Sequence, residues 1–332
     1  MMETYLQSLN RGLHEAMEAD PRVHLLGEDI MDPYGGAFKV ERGLSTRFAS
    51  RVHTTPISEA GFTGLATGMA IRGLRPVVSI MFGDFLTLIF DQVLNHMVKF
   101  GTMYGTPIDV PVVIRTPMGG RRGYGATHSQ SIEKHFLGVP GLSVWAPSHL
   151  HDAGSILRDL ILTTSGPALF LENKTLYSSA PAKEPGAVVV EFCQRDRSVV
   201  IARNFSRGVP DITIVSYGGL SAVLVPMLEE YAREEIKISL VLPSRIAPFN
   251  ADCVVDEAIA SGLVLIAEEG TEGFSWGNEV AAQLNEKCFG RLKAPIKRLA
   301  SKPSVIPCSK VGEDDVLVDK GDIEEALMEL LA

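Results

Sequence analysis

The chain has 332 residues, 45% of them hydrophobic and 21% charged, with a formal net charge of -9. That length exceeds one ordinary core and points to two globular domains, while the acidic balance excludes a nucleic-acid surface built on a basic stripe. The longest apolar stretch, Phe85 to Phe100, is broken by Asp91, Gln92, Asn95 and His96 and cannot span a bilayer. The N-terminal residues show no basic-then-apolar signal pattern, and Cys193, Cys253, Cys288 and Cys308 have no metal or redox spacing. We therefore expect a cytoplasmic protein with reduced thiols, no membrane association and no metal site of its own.

In chain order, Thr4 to Ala19 carries Leu6, Leu9, Leu13, Ala16 and Met17 at helical spacing and stops at Asp20-Pro21. Continuously apolar runs bounded by Gly, Pro or Asp follow at Val23–Leu26, Val77–Met81, Val110–Arg115, Leu142–Ala146 and Ala168–Leu171. Such runs read as buried parallel strands. Helical patterns lie between them, at Asp84–Met103 and at His149–Leu162. The first is apolar on every side, which predicts one buried helix, in the core or at a subunit interface. From Tyr177 to Arg197 the pattern breaks, with Pro181 and Pro185 among small residues. Strand and helix signals resume at Ile212–Val215, Leu220–Ala232, Ile238–Leu242, Asp252–Ala260 and Leu263–Ala267. The alternation predicts an α/β protein of two parallel-sheet domains, with a first domain at 1–185, a linker at 186–197 and a smaller domain at 198–332.

Two segments carry candidate chemistry. Glu59 follows Thr55-Pro56-Ile57-Ser58 and precedes a small-residue run with Gly61, Gly64 and Gly68. An acid beside the free amides of a helix start is one reading, and a site carboxylate is the other. His128 ends a loop containing Gly119, Gly120, Gly123 and Gly125 that leaves the strand at Arg115. Loops at the carboxyl ends of parallel strands are where α/β sheets place ligands, and a histidine there can move protons near neutral pH. Other motifs fall away. Gly273-Phe274-Ser275-Trp276-Gly277 has the form of a nucleophile elbow, but no histidine follows His151. His149-x-His151 has metal-like spacing and no third ligand in sequence, and reads as an exposed helix start.

Taken together, Gly27-Glu28-Asp29, Gly35-Gly36-Ala37-Phe38-Lys39-Val40, Thr55-Pro56-Ile57-Ser58-Glu59, Gly73-Leu74-Arg75-Pro76, Asp91-Gln92 and His128-Ser129-Gln130-Ser131 resemble the beta chain of the 2-oxo acid dehydrogenase first component. Pro140-Gly141-Leu142, Pro167-Ala168-Leu169-Phe170-Leu171-Glu172, Val215-Ser216-Tyr217-Gly218 and Glu268-Glu269-Gly270 extend the resemblance into the second domain.

The resemblance implies a thiamine diphosphate pyrimidine-binding domain followed by a smaller transketolase C-terminal-like domain. It implies that Glu59 bonds the aminopyrimidine ring and so activates the cofactor, and that Phe85 stacks on that ring. It gives His128 proton transfer near substrate, and Glu28 a place on a carboxylate route between paired sites. The family holds Mg²⁺ and the diphosphate through a Gly-Asp-Gly segment that this chain lacks. An alpha-type chain is thus expected to complete the site, in a heterotetramer of two chains of each kind that includes a second copy of this one. The implied reaction is decarboxylation of a 2-oxo acid with acyl transfer to a lipoyl acceptor, which makes a lipoyl acyltransferase a further partner. Two alternatives stay open at this stage. One is a two-chain transketolase-like or acyloin-forming enzyme without a lipoyl partner; the other is a silent scaffold subunit. Departures from the family pattern are Gly138, His135, the pair Arg121-Arg122, and an acidic Glu313-Asp314-Asp315 near the C-terminus.

Overall fold

A computed structural model describes residues 3–180 and 188–332. They form two compact units: one contains 3–118, 136–145 and 152–180, and the other contains 119–135, 146–151 and 188–332.

The first unit begins with α1 (Tyr5–Ala19), whose N-cap Thr4 and Gln7 form a reciprocal capping box. Then come β1 (Val23–Gly27), the single turn α2 (Leu44–Arg47), β2 (Val52–Thr54), α3 (Glu59–Ile71) and β3 (Arg75–Ser79). Next are α4 (Phe100–Met103), β4 (Val113–Met118), β5 (Ser143–Trp145), α5 (Ala153–Thr163) and β6 (Ala168–Asn173). The strands run parallel in the order β5-β6-β4-β3-β1-β2. Every residue of β4 and β6 is buried, as apolar runs covered on both faces require. Helices α1 and α5 cross so closely that a Cβ on Gly12 would lie 2.2 Å from the Gly154 carbonyl oxygen, and one on Gly154 would lie 1.9 Å from that of Ser8.

The expected helix at 84–103 is not one helix. It is a 3₁₀ stretch (Gly83–Ile89), a π stretch (Gln92–Met97) and the short α4. Leu88 is 52% exposed, so the segment is not buried all round in this chain. A run with apolar residues on all sides has no stripe, and hydrophobic period then cannot separate 3.0, 3.6 or wider windings.

The second unit contains β7 (Val189–Phe192), β8 (Val199–Arg203), β9 (Ile212–Val215), α6 (Ser221–Arg233), β10 (Ile238–Pro243), β11 (Arg245–Ala247), α7 (Asp252–Ser261) and β12 (Val264–Thr271). It closes with α8 (Trp276–Cys288), β13 (Lys297–Ser301), α9 (Lys310–Val316) and α10 (Lys320–Leu331). Its sheet runs β13-β12-β9-β10-β8-β7, parallel from β13 to β10, with β8 antiparallel to β10 and β7 antiparallel to β8. The core joins Leu224 and Leu228 of α6 to Leu240 and Leu265 of the sheet and to Ile323 and Leu327 of α10.

Strand β7 lies within the range expected as linker, where its alternation of Val189, Val190, Glu191 and Phe192 is entirely exposed. The linker prolines, Pro181 and Pro185, lie outside the described residues. Cys193 and Cys253 form a disulfide, with Cα atoms 6.0 Å apart, which corrects the expectation of four reduced thiols. The partners are 60 residues apart, on the end of β7 and on α7, a proximity that no sequence spacing encodes. Among the described residues, no helix is long and apolar enough to cross a membrane.

Candidate active site

The sheet order brings three of the four candidate residues of the sequence to one edge. Glu28 follows β1 directly, Glu59 follows β2, and Phe85 follows β3, at the carboxyl ends of three neighbouring parallel strands. Register fixes the first two: Gly27 pairs with Thr54, and the Thr55 amide donates to the Gly27 carbonyl at 3.0 Å.

Glu59 is the first residue of α3 and only 6% exposed. Its N-cap, Ser58, makes no side-chain cap bond, which leaves Glu59 as the anion at the positive end of the helix. A Cβ at Gly61 would fall 2.7 Å from Ser58 Oγ, so glycine there leaves room for the turn. Glu28 is buried, and its Oε1 has no hydrogen-bond partner among the described residues. Burial, then the negative charges of Glu59 and Asp29, hold the Glu28 carboxyl above the usual carboxylate range. The two carboxylates therefore share one electrostatic environment. Phe85 is half-buried, with its ring 6.1 Å from that of Phe82 at 78°, and Phe82 meets Phe38 edge-on at 5.6 Å.

Behind this edge lies a buried pin that sequence reasoning missed as a unit. Arg115 of β4 forks onto Glu172 of β6, with Nε donating to Oε1 at 2.6 Å, and its Nη1 donates to Glu41 and, at 2.8 Å, to Ser79 Oγ. The Tyr177 hydroxyl donates to Glu172 Oε2 at 2.7 Å. Glu28, Phe38, Glu41 and Arg115 line one small pocket. Gly36, at φ +78°, permits this: a Cβ there would lie 2.1 Å from Glu41 Oε2. Glu41 and Arg115 are 74 residues apart, and no local signal links them.

His128 belongs to the other unit, in the loop that follows β4. It is half-buried, its Nδ1 lies 3.0 Å from Thr127 Oγ1, and its amide donates to the Gly125 carbonyl at 3.3 Å. Glu28, Glu59 and Phe85 thus follow neighbouring strands of the first unit's sheet, and His128 belongs to the second unit.

The remaining motifs resolve as structure. His149 and His151 are buried and precede α5, whose N-cap is Asp152, so the exposed helix start expected there is corrected. His149 Nδ1 pairs with Ser221 Oγ at 2.8 Å and His151 Nδ1 with Ser148 Oγ at 2.7 Å. Burial lowers both imidazoles to a pKa of about 4, which keeps them neutral. Ser275 donates to Glu268 Oε1 at 2.6 Å at the start of α8, a structural role for the elbow-like motif. No group of three or more ligating side chains able to hold a metal occurs among the described residues.

Comparisons with known proteins bear on the whole chain. Residues 3–179 match the family model "Transketolase, pyrimidine binding domain", and residues 203–323 match "Transketolase, C-terminal domain". The chain is 35% identical over 328 residues to the pyruvate dehydrogenase E1 component subunit beta of Leifsonia xyli, covering 98% of this chain and 94% of that one. It is 31% identical to the 2-oxoisovalerate dehydrogenase subunit beta of Bacillus subtilis, covering 98% of each. It is also 31% identical to the acetoin:2,6-dichlorophenolindophenol oxidoreductase subunit beta of Cupriavidus necator, over 92% of this chain and 91% of that one. Among solved structures, a split-gene transketolase described as an inactive beta4 tetramer superposes with a TM-score of 0.72 at 18% identity. It covers 100% of this chain and 99% of the other, a likeness of fold alone.

Proposed function

Because this chain belongs to the family of 2-oxo acid dehydrogenase first-component beta subunits, we propose that it supplies the pyrimidine half of a thiamine diphosphate site completed by an alpha-type chain. The observation that carries this reading is the buried Glu28–Glu59 pair at the carboxyl ends of adjacent strands, with one Glu28 oxygen unpartnered. A carboxylate at a helix start, a second acid with an unsatisfied oxygen and half-buried aromatic faces fit a flat nitrogen heterocycle that offers donors.

When bound, thiamine diphosphate supplies a carbon nucleophile for the 2-oxo group and a sink for the electron pair left by decarboxylation. Glu59 would face the pyrimidine ring nitrogen, and its carboxyl group could share a proton with that nitrogen, a task that an amide cannot perform. Glu28 places a second negative charge beside Glu59 and can take up a proton as that charge shifts. Phe85 offers a ring face. His128 holds or delivers a proton on the substrate side.

In this reading the diphosphate and Mg²⁺ lie mainly on the alpha-type chain, in a cytoplasmic tetramer of two chains of each kind, and a lipoyl group receives the acyl product. The pyruvate and 2-oxoisovalerate relatives are dehydrogenase subunits and the acetoin relative is an oxidoreductase subunit, which favours this over the transketolase-like alternative. The test is reconstitution. This chain alone, given thiamine diphosphate and Mg²⁺, should not turn over pyruvate or 2-oxoisovalerate with dichlorophenolindophenol as acceptor. Addition of an alpha-type chain should restore turnover and permit reductive acylation of a lipoylated domain. Turnover by the purified single chain would overturn the proposal.

A further inference from the structure

The loop that carries His128 is tied at both ends to one carboxylate. At its start the Gly120 amide donates to Glu269 Oε1 at 3.0 Å, and at its end Ser131 Oγ donates to the same oxygen at 3.2 Å. Glu269 lies on β12 and is 7% exposed. The Gly119 amide reaches the Gln130 carbonyl at 3.4 Å, closing the loop's neck. Just beyond, Lys134 Nζ donates to the Thr271 and Gly273 carbonyls, each at 3.2 Å, and Tyr217 donates to Glu133. The outer part of the loop is held as well, with the Gly123 amide donating to Glu313 Oε2 at 3.0 Å and Arg121 donating to the Val318 carbonyl. The loop has positive-φ glycines at 119, 123 and 125, whose dihedral freedom does not select one shape, and Arg121 is held at φ +66° against its own preference. What selects the shape is this set of acceptors.

We infer that Glu269 is a positioning residue for His128, a clamp that closes the loop's neck and thereby sets where the imidazole stands. The inference deepens the proposed function and rests on its assignment of His128 to the reaction. Both hydrogen bonds are charge-assisted, and both come from one loop of about a dozen residues, so the buried carboxylate holds the loop's two ends against one point. A displaced loop would move the imidazole by an ångström or more, enough to slow a positioned proton transfer about a hundredfold at the limit.

The experiment uses the reconstituted two-chain enzyme with pyruvate and 2-oxoisovalerate as donors and dichlorophenolindophenol as acceptor. Glu269→Ala should lower kcat about tenfold or more, with a smaller change in donor KM. Hydrogen exchange at the Gly120 amide should accelerate. Glu269→Gln keeps an acceptor oxygen and should recover most of the rate. In a His128→Ala background, Glu269→Ala should cost less than about twofold more, because the clamp acts through the histidine. Wild-type kcat in Glu269→Ala, or its full cost repeated in the His128→Ala enzyme, overturns the clamp. A His128→Ala enzyme that itself runs at the wild-type rate sinks the site assignment beneath it, and is distinguishable on that ground. Should Glu269→Ala lose its cooperative melt, Ser131→Ala removes one of the two bonds and carries the same cycle. An additive Ser131→Ala cost would count equally against the clamp.

Discussion

Glu59 and Glu28 show how a residue's surroundings choose among its chemical options. An acid at a helix start is ordinarily a solvated partner of the free amides. Here Glu59 is buried in the first turn of α3, in the field of a second carboxyl that burial and its neighbours' charge hold above the usual carboxylate range. Glu59→Gln conserves shape and removes the proton-sharing oxygen, so the reconstituted enzyme should lose kcat by about 10² to 10⁴. The chain should still melt within a few degrees of wild type. A variant with kcat within threefold of wild type would remove Glu59 from the mechanism. At the same scale, local motifs singled out Glu59 and His128 and the family resemblance added Glu28 and Phe85, whereas the partners of Glu41, Glu133 and Glu269 had no local signal. Those partners lie far along the chain, up to 149 residues for Glu269 and Gly120.

Among elements, the strands were the most legible and the irregular helices the least. Runs such as Ile212–Val215 announce β9 because a covered parallel strand needs an unbroken apolar run. The segment at 83–103 had abundant apolar residues and no stripe, so its 3₁₀ and π windings were invisible. Glycine roles also diverge by element. Gly12 in α1 faces the Gly154 backbone of α5, and Gly12→Ala should destabilise the chain by about 1–3 kcal/mol through overpacking. On α3, a Cβ at Gly64 would meet nothing within 4 Å in the isolated chain. Gly64→Ala should then leave the isolated chain's stability unchanged or raise it by about 0.5–1 kcal/mol. Thermal melts of the two variants compare them directly, and equal losses would refute the distinction.

On the scale of the whole molecule, buried titratable groups give opposing pH responses. Burial, then the charges of Glu268 and Glu269, push the Glu133 carboxyl from 4.5 up to about 7 against the relief of its Tyr217 bond. A raised carboxyl favours the folded state fully at pH values below its unfolded pKa, and this contribution is lost as pH climbs through the folded value. The lowered imidazoles of His149 and His151 act in reverse: their contribution is present above about 6.5 and lost as pH falls through about 4. The two trends partly cancel in the wild-type curve. The difference in melting temperature between wild type and Glu133→Gln isolates the first, and should decline between pH 4.5 and about 7 and level off above. A flat difference would show that Glu133 is ionised throughout.

The sequence by itself determined the two α/β domains, the strands at the heart of both sheets, the family, and the local motifs around Glu59 and His128. Each depends on short-range pattern: apolar runs, turn residues, and side chains within a few positions of one another. Only the tertiary structure decided that Glu28 lies in the field of Glu59, that Arg115 is pinned between Glu41 and Glu172, and that Cys193 joins Cys253. It alone placed both ends of the His128 loop on Glu269. The physical reason is common to all four. Strand order and register bring distant residues to one place, and a charge's field, an ion pair, a hydrogen bond and a disulfide all depend on that distance in space, which spacing along the chain does not record.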